Sequence, residues 1–252
     1  MDGILIRRWG IAGVDVGPTR SLDEVRRTPA YPFPEAAHYL NLPLSTLRAW
    51  CLGQDYSEDR KTPRFVALIK LDGDRHRDGL SFLNLVEAHV LSAIRRTHRI
   101  ALPKVRQALQ YVSSELHAER PLLNVRFQTN GVGLFVDMLG GLVNVTQAGQ
   151  LALREGFAEN LARIRRDAAD IPIKLFPFTR TPGMTDSECV EMDPTIAFGR
   201  PVIRGRATPT AVLADRFKAG DSFDELAEDL DLPRNAIEDA IRCELRLRAL
   251  AA

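Results

Sequence analysis

The sequence predicts an α+β fold that is mainly α-helical. It would have an N-terminal winged helix-turn-helix, a small antiparallel strand-rich middle and a helical, helix-turn-helix-like C-terminal domain. Apolar residues recurring three and four positions apart predict the helices. Apolar–polar alternation between glycines over residues 122–146 predicts the strands. The 252 residues, 45% hydrophobic and 27% charged, allow one large domain or two to three small ones.

Residues 1–30 are interpreted as an N-terminal extension with a strand at 4–11. The head domain, residues 31–120, then opens with a helix-turn-helix. Its first helix is predicted from Pro34 to Leu40, because proline suits a first helical turn. The turn is Asn41-Leu-Pro-Leu, and Ser45 is expected to cap the second helix.

The remainder of the head is predicted as a strand over 64–71, a turn over 72–79 and two longer helices. Ser81 is a suitable N-cap for the first of these helices, and its apolar residues form a helical stripe. Pro103 would stand in the first turn of the second helix, which carries apolar residues along one face.

The second helix of such a unit enters the major groove of DNA, where its first residues meet bases and phosphates. The side chains expected to contact DNA are donors on that helix and basic residues that follow it: Ser45, Thr46, Arg48, Arg60, Lys61, Arg64, Arg75 and Arg77. Residues 31–119 contain 12 Lys/Arg and 10 Asp/Glu, so this hypothesis depends on local clustering. A helix pair with solvated arginines is an equally open interpretation.

The middle region, residues 121–185, is predicted to form an antiparallel meander over 123–146 with glycine turns, then a helix over 150–169 and a strand over 172–177. The tail domain, residues 193–252, is predicted to contain three helices. Gly220 would end the first, and Ser222 with Glu225 would form a capping box on the second.

Residues 210–252 contain 6 Lys/Arg and 10 Asp/Glu, and an acidic surface repels DNA phosphates. The tail is therefore interpreted as a protein-binding module, with a plain helical cap as the alternative. A Pro/Gly-containing segment rich in arginine precedes its helices and is the candidate contact surface: Arg200, Pro201, Val202, Ile203, Arg204, Gly205 and Arg206.

No catalytic or metal-ligating pattern stands out in the sequence, so we expect no enzyme, cofactor or metal site. The five histidines lack ligand spacing, and the three cysteines form no CxxC pair. No apolar run is long enough to span a bilayer, and the start of the chain lacks the pattern of a signal peptide. A cytoplasmic protein without a membrane partner is therefore expected.

The head resembles the winged helix-turn-helix of MerR-type regulators. The resemblance is carried by Glu35-Ala-Ala-His-Tyr-Leu, Ser45-Thr-Leu-Arg-Ala-Trp, the segment from Leu80 to Leu91 and Leu102-Pro-Lys-Val-Arg. It implies a wing at about residues 62–79 and DNA binding as a homodimer.

The segment Asp193-Pro-Thr-Ile-Ala-Phe-Gly-Arg-Pro-Val-Ile-Arg-Gly resembles a small helical family of formerly unknown function that is associated with antitoxins. Together with the head, it is similar to one group of VapB-type antitoxins. This resemblance implies a PIN-domain-like ribonuclease toxin as partner and repression of the protein's own operon through operator DNA. The alternative is a MerR-like transcriptional regulator whose middle region binds a small ligand.

Overall fold

A computed structural model describes residues 21–53, 66–73, 79–96, 100–143, 145–179 and 188–245. Within these residues the fold is mainly helical and contains two antiparallel sheets of two strands each. The predicted α+β class with a helical majority is therefore confirmed. The strand predicted at residues 4–11 lies outside the described residues.

The described elements comprise one helix in the N-terminal extension, four in the head, two helices and two strands in the middle, and two strands and three helices at the C-terminal end. Their bounds are α1 Leu22–Arg27, α2 Phe33–Tyr39, α3 Leu44–Leu52, α4 Phe82–Leu91, α5 Leu102–Leu116, α6 Val132–Val143, α7 Gln147–Ala162, β1 Ile164–Arg166, β2 Pro172–Leu175, β3 Val190–Glu191, β4 Val202–Ile203, α8 Thr210–Ala219, α9 Phe223–Leu230 and α10 Arg234–Leu245.

The predicted helix-turn-helix of the head is confirmed as α2 and α3, with Pro34 in the first turn of α2. Asn41 takes a left-handed conformation in the turn (φ 51°), and its amide donates to the carbonyl of His38 at 2.9 Å. The prediction that Ser45 caps α3 is wrong. Pro43 occupies the N-cap position with extended backbone, so the helix has already begun before Ser45.

The strand predicted over 64–71 is wrong for its described part, residues 66–71, which form irregular backbone. The amides of Leu68 and Ile69 both donate to the carbonyl of Trp50, at 2.7 and 3.0 Å. These bonds use donors that a strand would offer to a neighbouring strand, and they attach the segment to the last turn of α3. Residues 54–65 and 74–78, which include half of the expected wing, lie outside the described residues.

The helix α4 is buried on every side, as expected for the central helix of a core. Ser81 caps it as predicted, accepting a hydrogen bond from the amide of Asn84 at 3.1 Å. Pro103 lies in the first turn of α5, also as predicted, and α5 packs its apolar face, including Val105 and Val112, into the same core.

A buried ion-pair network fixes the end of the head. Arg120 donates to both carboxylate oxygens of Glu87, at 3.1 and 2.5 Å, and to Asp72 at 3.0 Å. Burial raises the pKa of Glu87, whereas the hydrogen bond and charge of Arg120 oppose that shift. Removing one partner of such a pair leaves an uncompensated buried charge, so the network holds Arg120 beneath α4.

The meander predicted over 123–146 is wrong, and with it the strand-rich character of the middle region. Residues 127–131 form a π-helical turn that continues directly into α6. Phe135, Val136 and Leu139 are buried at helical spacing. Gly131 marks close packing rather than a turn, because a Cβ there would lie 2.7 Å from the ring of Phe127. Short apolar runs between glycines fit either structure, and here tertiary packing selects the helix.

The predicted helix over 150–169 is present as α7, but it ends at Ala162 and residues 164–166 form β1 instead. The strand predicted over 172–177 is confirmed as β2, which pairs antiparallel with β1. The carbonyl and amide of Leu175 also bond to Met192, at 2.8 and 3.0 Å. The middle region is thereby joined to the start of the tail.

The tail helices agree with the prediction. Gly220 follows α8 with a positive φ of 122°, as a helix-ending glycine does. Ser222 and Glu225 form the predicted capping box on α9. The strands β3 and β4 pair antiparallel beside these helices, and the loop between them carries residues 193–201.

The head and the tail meet at Tyr31. This side chain is buried, and its hydroxyl donates to the carbonyl of Gly199 at 2.9 Å. The backbone of Tyr31 also forms an antiparallel bridge with Leu80, just before α4. Tyr31 therefore attaches the loop of residues 193–201 to the core of the head.

We expect Gly199→Ala to destabilise the protein by about 1–3 kcal/mol or more, because Gly199 has φ +80° and an added Cβ would clash with the Tyr31 hydroxyl. Gly205→Ala is the matched control, since Gly205 has φ +73° but an added Cβ meets no described atom within 4 Å. Denaturant unfolding measures the difference. Equal losses for the two variants would show that the Tyr31 contact contributes nothing.

A buried histidine should make the free energy of unfolding depend on pH. His89 on α4 bonds through Nε2 to the carbonyl of Asn160 at 3.0 Å, and burial lowers its pKa to about 4 from the ordinary 6.5. The folded state therefore disfavours the protonated ring. The neutral ring therefore stabilises the folded state relative to the unfolded state. This stabilisation is complete above pH 6.5 and is lost as the pH falls from 6.5 towards 4, by at most about 1.4 kcal/mol per pH unit.

Unfolding free energies at pH 7, 6, 5 and 4 should fall more steeply for the parent chain than for His89→Gln. The same slope in both proteins would contradict the assignment to His89.

Candidate DNA-binding and partner-binding surfaces

The exposed face of α3 carries the side chains that the sequence predicted to contact DNA. Ser45 and Arg48 are exposed and Thr46 is half-buried. Leu47 and Trp50 lie on the opposite face and are buried in the core. The burial pattern thus separates a polar outer face from an apolar inner face, and the polar donors remain accessible to a ligand.

The guanidinium group of Arg48 lies over the ring of Phe33, 6.0 Å from its centroid. Phe33 is the first residue of α2, so this contact joins the two helices of the unit on their outer side. A cation–π contact at an exposed site stabilises by about 0.5–1 kcal/mol. That is enough to bias the side chain of Arg48 without preventing it from reaching a base or a phosphate.

The remaining residues predicted to contact DNA lie outside the described residues: Arg60, Lys61, Arg64, Arg75 and Arg77. The described segment between them, residues 66–73, is fixed against α3 through Trp50. The five basic residues stay candidate contacts.

The arginine-rich segment, a candidate contact surface for a protein partner, contains one buried group of residues and one exposed group. Pro201, Val202 and Ile203 are buried as part of β4 and its approach, whereas all three arginines and Gly205 are exposed. Only the latter group is directly accessible. The apolar residues instead hold the arginine-bearing backbone against the tail.

Each of the three arginines has a partner within the chain, and each points to a different part of the fold. Arg200 pairs with Glu35 of α2 at 2.6 Å. The hydrogen bond that Arg200 donates to the Glu35 carboxylate raises the pKa of Arg200. Because Glu35 belongs to the first helix of the head, this pair lies next to the bond between Tyr31 and Gly199.

Arg204 pairs with Glu188 at 3.1 Å and lies over the ring of Phe176, 5.1 Å from its centroid. Arg165 shares both partners: it bonds to Glu188 at 2.7 Å and its guanidinium lies 4.9 Å from the same ring centroid. Two cations thus share one carboxylate and one ring, so a positive charge remains in excess at this position.

Arg206 has the weakest ion pair of the three. Its guanidinium is 3.8 Å from the carboxylate of Asp231, which is fully exposed, and donates to the Asp231 carbonyl at 3.2 Å. Exposed pairs of this kind contribute about 0–1 kcal/mol. Arg206 is therefore the arginine that an external carboxylate could recruit at the lowest cost.

Sequence reasoning missed one prominent surface residue. Phe198 is 88% exposed and lies in the loop before Arg200. A single phenylalanine between Ala and Gly is ordinarily expected to be buried, so composition gave no signal. The left-handed backbone that turns the ring outward could not be read from the sequence either.

Among the described residues, no cluster of His, Cys, Asp and Glu side chains is arranged to hold a metal ion. No helix in that part of the chain has the length and apolar character needed to cross a bilayer.

Two family profiles match the chain at the surfaces described above. Residues 29–109 match a family described as "Putative DNA-binding HTH domain". Residues 190–242 match a family described as "Protein of unknown function (DUF433)". The first range contains α2 to α4, and the second contains β3, β4 and the arginine-rich segment.

The chain is also similar along most of its length to proteins from Mycobacterium tuberculosis. A relative named "Putative antitoxin VapB45" is 27% identical over 229 residues, which cover 84% of this chain and 92% of the relative. The crystal structure of the protein Rv2018 superposes with a TM-score of 0.62 at 21% identity, covering 85% of this chain and 97% of that one. The latter similarity establishes that the two share a fold.

Proposed function

We propose that the chain is an antitoxin of a type II toxin–antitoxin system. In this proposal it neutralises a PIN-domain-like ribonuclease and represses its own operon in the cytoplasm. The observation that carries the proposal is the similarity to an antitoxin over 84% of this chain, a larger share than either family profile matches alone. Two accessible surfaces, one on α3 and one around the arginines, support the proposal.

Operator binding is assigned to the exposed face of α3. Ser45 and Thr46 can donate to phosphates, and Arg48 can bind a guanine edge with two hydrogen bonds. The basic residues near 60–64 and 75–77 would neutralise neighbouring phosphates. A homodimer would place two such helices on successive half-sites and supply the affinity that one head lacks.

Toxin binding is assigned to the three arginines. PIN-like nucleases gather carboxylates around a divalent metal ion, and a guanidinium group is a planar donor that matches carboxylates. An arginine that enters this acidic pocket would pair with the carboxylates and displace the metal. The half-exposed pairs with Glu35, Glu188 and Asp231 are weak enough to be exchanged for such partners.

The second candidate, a MerR-like regulator with a small ligand, is favoured by one cleft. A space of about 520 Å³ lies between α1, the end of α5 and β2. Its lining carries both signs of charge: Arg27, His117, Arg120, Asp23, Glu119 and Asp170. Such a polar cleft could take a small polar ligand. Co-purification of the chain with a nuclease encoded by a neighbouring gene would favour the antitoxin over this regulator.

Replacing Arg48 tests the DNA surface. Arg48→Ala should weaken binding to a duplex from the protein's own promoter about tenfold, because one bidentate arginine–guanine contact contributes about 1–3 kcal/mol. The control is Lys218→Ala, which removes an exposed charge from α8 in the tail. Gel shifts at several stated salt concentrations measure both. Equal binding by the parent and Arg48→Ala would contradict this assignment.

Replacing the arginines tests the toxin surface. Arg206→Gln should weaken inhibition of the nuclease at least tenfold, and the combined change of Arg200, Arg204 and Arg206 to Gln should abolish it. Charge-assisted pairs with carboxylates are lost in both variants. Inhibition of RNA cleavage is the measurement, with Lys218→Gln as the charge control and thermal unfolding as the check on folding. A folded triple variant that inhibits as the parent does would exclude the arginines.

A further inference from the structure

The ring of Phe198 is the most exposed of the large hydrophobic side chains in the described part of the chain. It is 88% exposed, whereas the next, Leu22, is 59% exposed. Aromatic residues are enriched at the buried centres of protein interfaces, although a single exposed ring is common on protein surfaces. The backbone that holds the Phe198 ring outward is what distinguishes this position.

The backbone around Phe198 holds the ring outward. Ala197, Phe198 and Gly199 all take left-handed conformations, with φ of 48°, 56° and 80°. A bulky residue rarely adopts this region, and such outliers persist only where the surrounding structure fixes them. The exposed ring gains little from packing within its own chain. No described contact of Phe198 therefore offsets the free-energy cost of this backbone conformation.

Contacts on both sides of Phe198 fix the loop. Before it, the carboxylate of Asp193 accepts hydrogen bonds from the amide and hydroxyl of Thr195, at 2.9 and 2.6 Å. After it, Gly199 is held by Tyr31 of the head at 2.9 Å. The exposed ring thus projects from a preorganised loop, which lowers the entropy lost on binding.

The surroundings of Phe198 favour one kind of partner. Arg200 follows two residues later, is half-exposed and pairs with Glu35 at 2.6 Å, so an apolar ring and a guanidinium group lie close together in the sequence of this loop. A two-fold contact between copies of this chain would bring together two Arg200–Glu35 pairs that are already matched, and the charges would gain no new partner. A nuclease with surplus carboxylates beside an apolar pocket would cover the ring and offer the guanidinium group further acceptors.

We infer that Phe198 is the apolar anchor of the toxin-binding surface and inserts its ring into a pocket of the nuclease beside the carboxylates that Arg200 meets. This inference rests on the proposed antitoxin function and adds to it a specificity-determining residue outside the arginine-rich segment. Burying a phenylalanine ring in a partner's pocket corresponds to about a 10- to 100-fold gain in affinity.

The test uses Phe198→Asn in the full chain, because asparagine tolerates the left-handed region and lacks the ring. Leu151→Gln on α7 is the matched control, since it removes another exposed apolar side chain from a different surface. Calorimetric titration with the nuclease encoded by the adjacent gene gives affinities. Thermal unfolding, promoter gel shifts and light scattering report folding, DNA binding and mass.

We expect Phe198→Asn to weaken nuclease binding at least tenfold while its unfolding temperature, DNA binding and mass stay those of the parent, and Leu151→Gln to change none of them. Parent-like nuclease affinity of Phe198→Asn would overturn the inference and leave the proposed function standing. A parent chain that binds no nuclease would overturn the proposed function itself. A drop in mass for Phe198→Asn alone would overturn the choice of partner, because the ring would then serve self-association.

Discussion

The hydrogen bond from the buried Tyr31 hydroxyl to the carbonyl of Gly199 determines how the two ends of this protein are arranged. It joins residues 168 positions apart in the sequence. Burial raises the pKa of Tyr31, so the phenol remains a donor at any physiological pH. Because Tyr31 also bridges to Leu80 before α4, the loop of the tail is attached to the core of the head. The helix-turn-helix and the candidate partner-binding loop are therefore neighbours.

The arginines of residues 200–206 already form ion pairs within the chain. The sequence marked the arginine segment as a candidate contact surface for a protein partner, and the structure shows that each guanidinium is held by a carboxylate of the chain itself. Binding a partner would exchange these exposed pairs, each worth about 0–1 kcal/mol, for stronger charge-assisted pairs with carboxylates that the partner buries. Affinity would then come both from the arginines and from apolar burial, which Phe198 would supply. The charges would also orient the partner and raise the rate of association.

Local signals made much of the fold predictable. Ser81, the capping box at Ser222 and Glu225, and Gly220 each act within one helical turn, so they could be identified from spacing alone. Residues 123–146 were misassigned because glycines that permit close helix packing resemble glycines that make turns. At the candidate sites, the residue types were predictable. Their partners, such as Glu35 for Arg200, depend on contacts between distant segments and were not.

The central claim is that one chain binds operator DNA and a nuclease through two adjacent surfaces. Sedimentation of the chain with a fluorescent promoter duplex and the adjacent-gene nuclease, each labelled in a different colour, tests it most directly. The account predicts a single complex in which DNA, chain and nuclease move together, and no joint movement of DNA and nuclease when the chain is omitted. A chain that carries only one of the two ligands, whatever the concentration of the other, would contradict it.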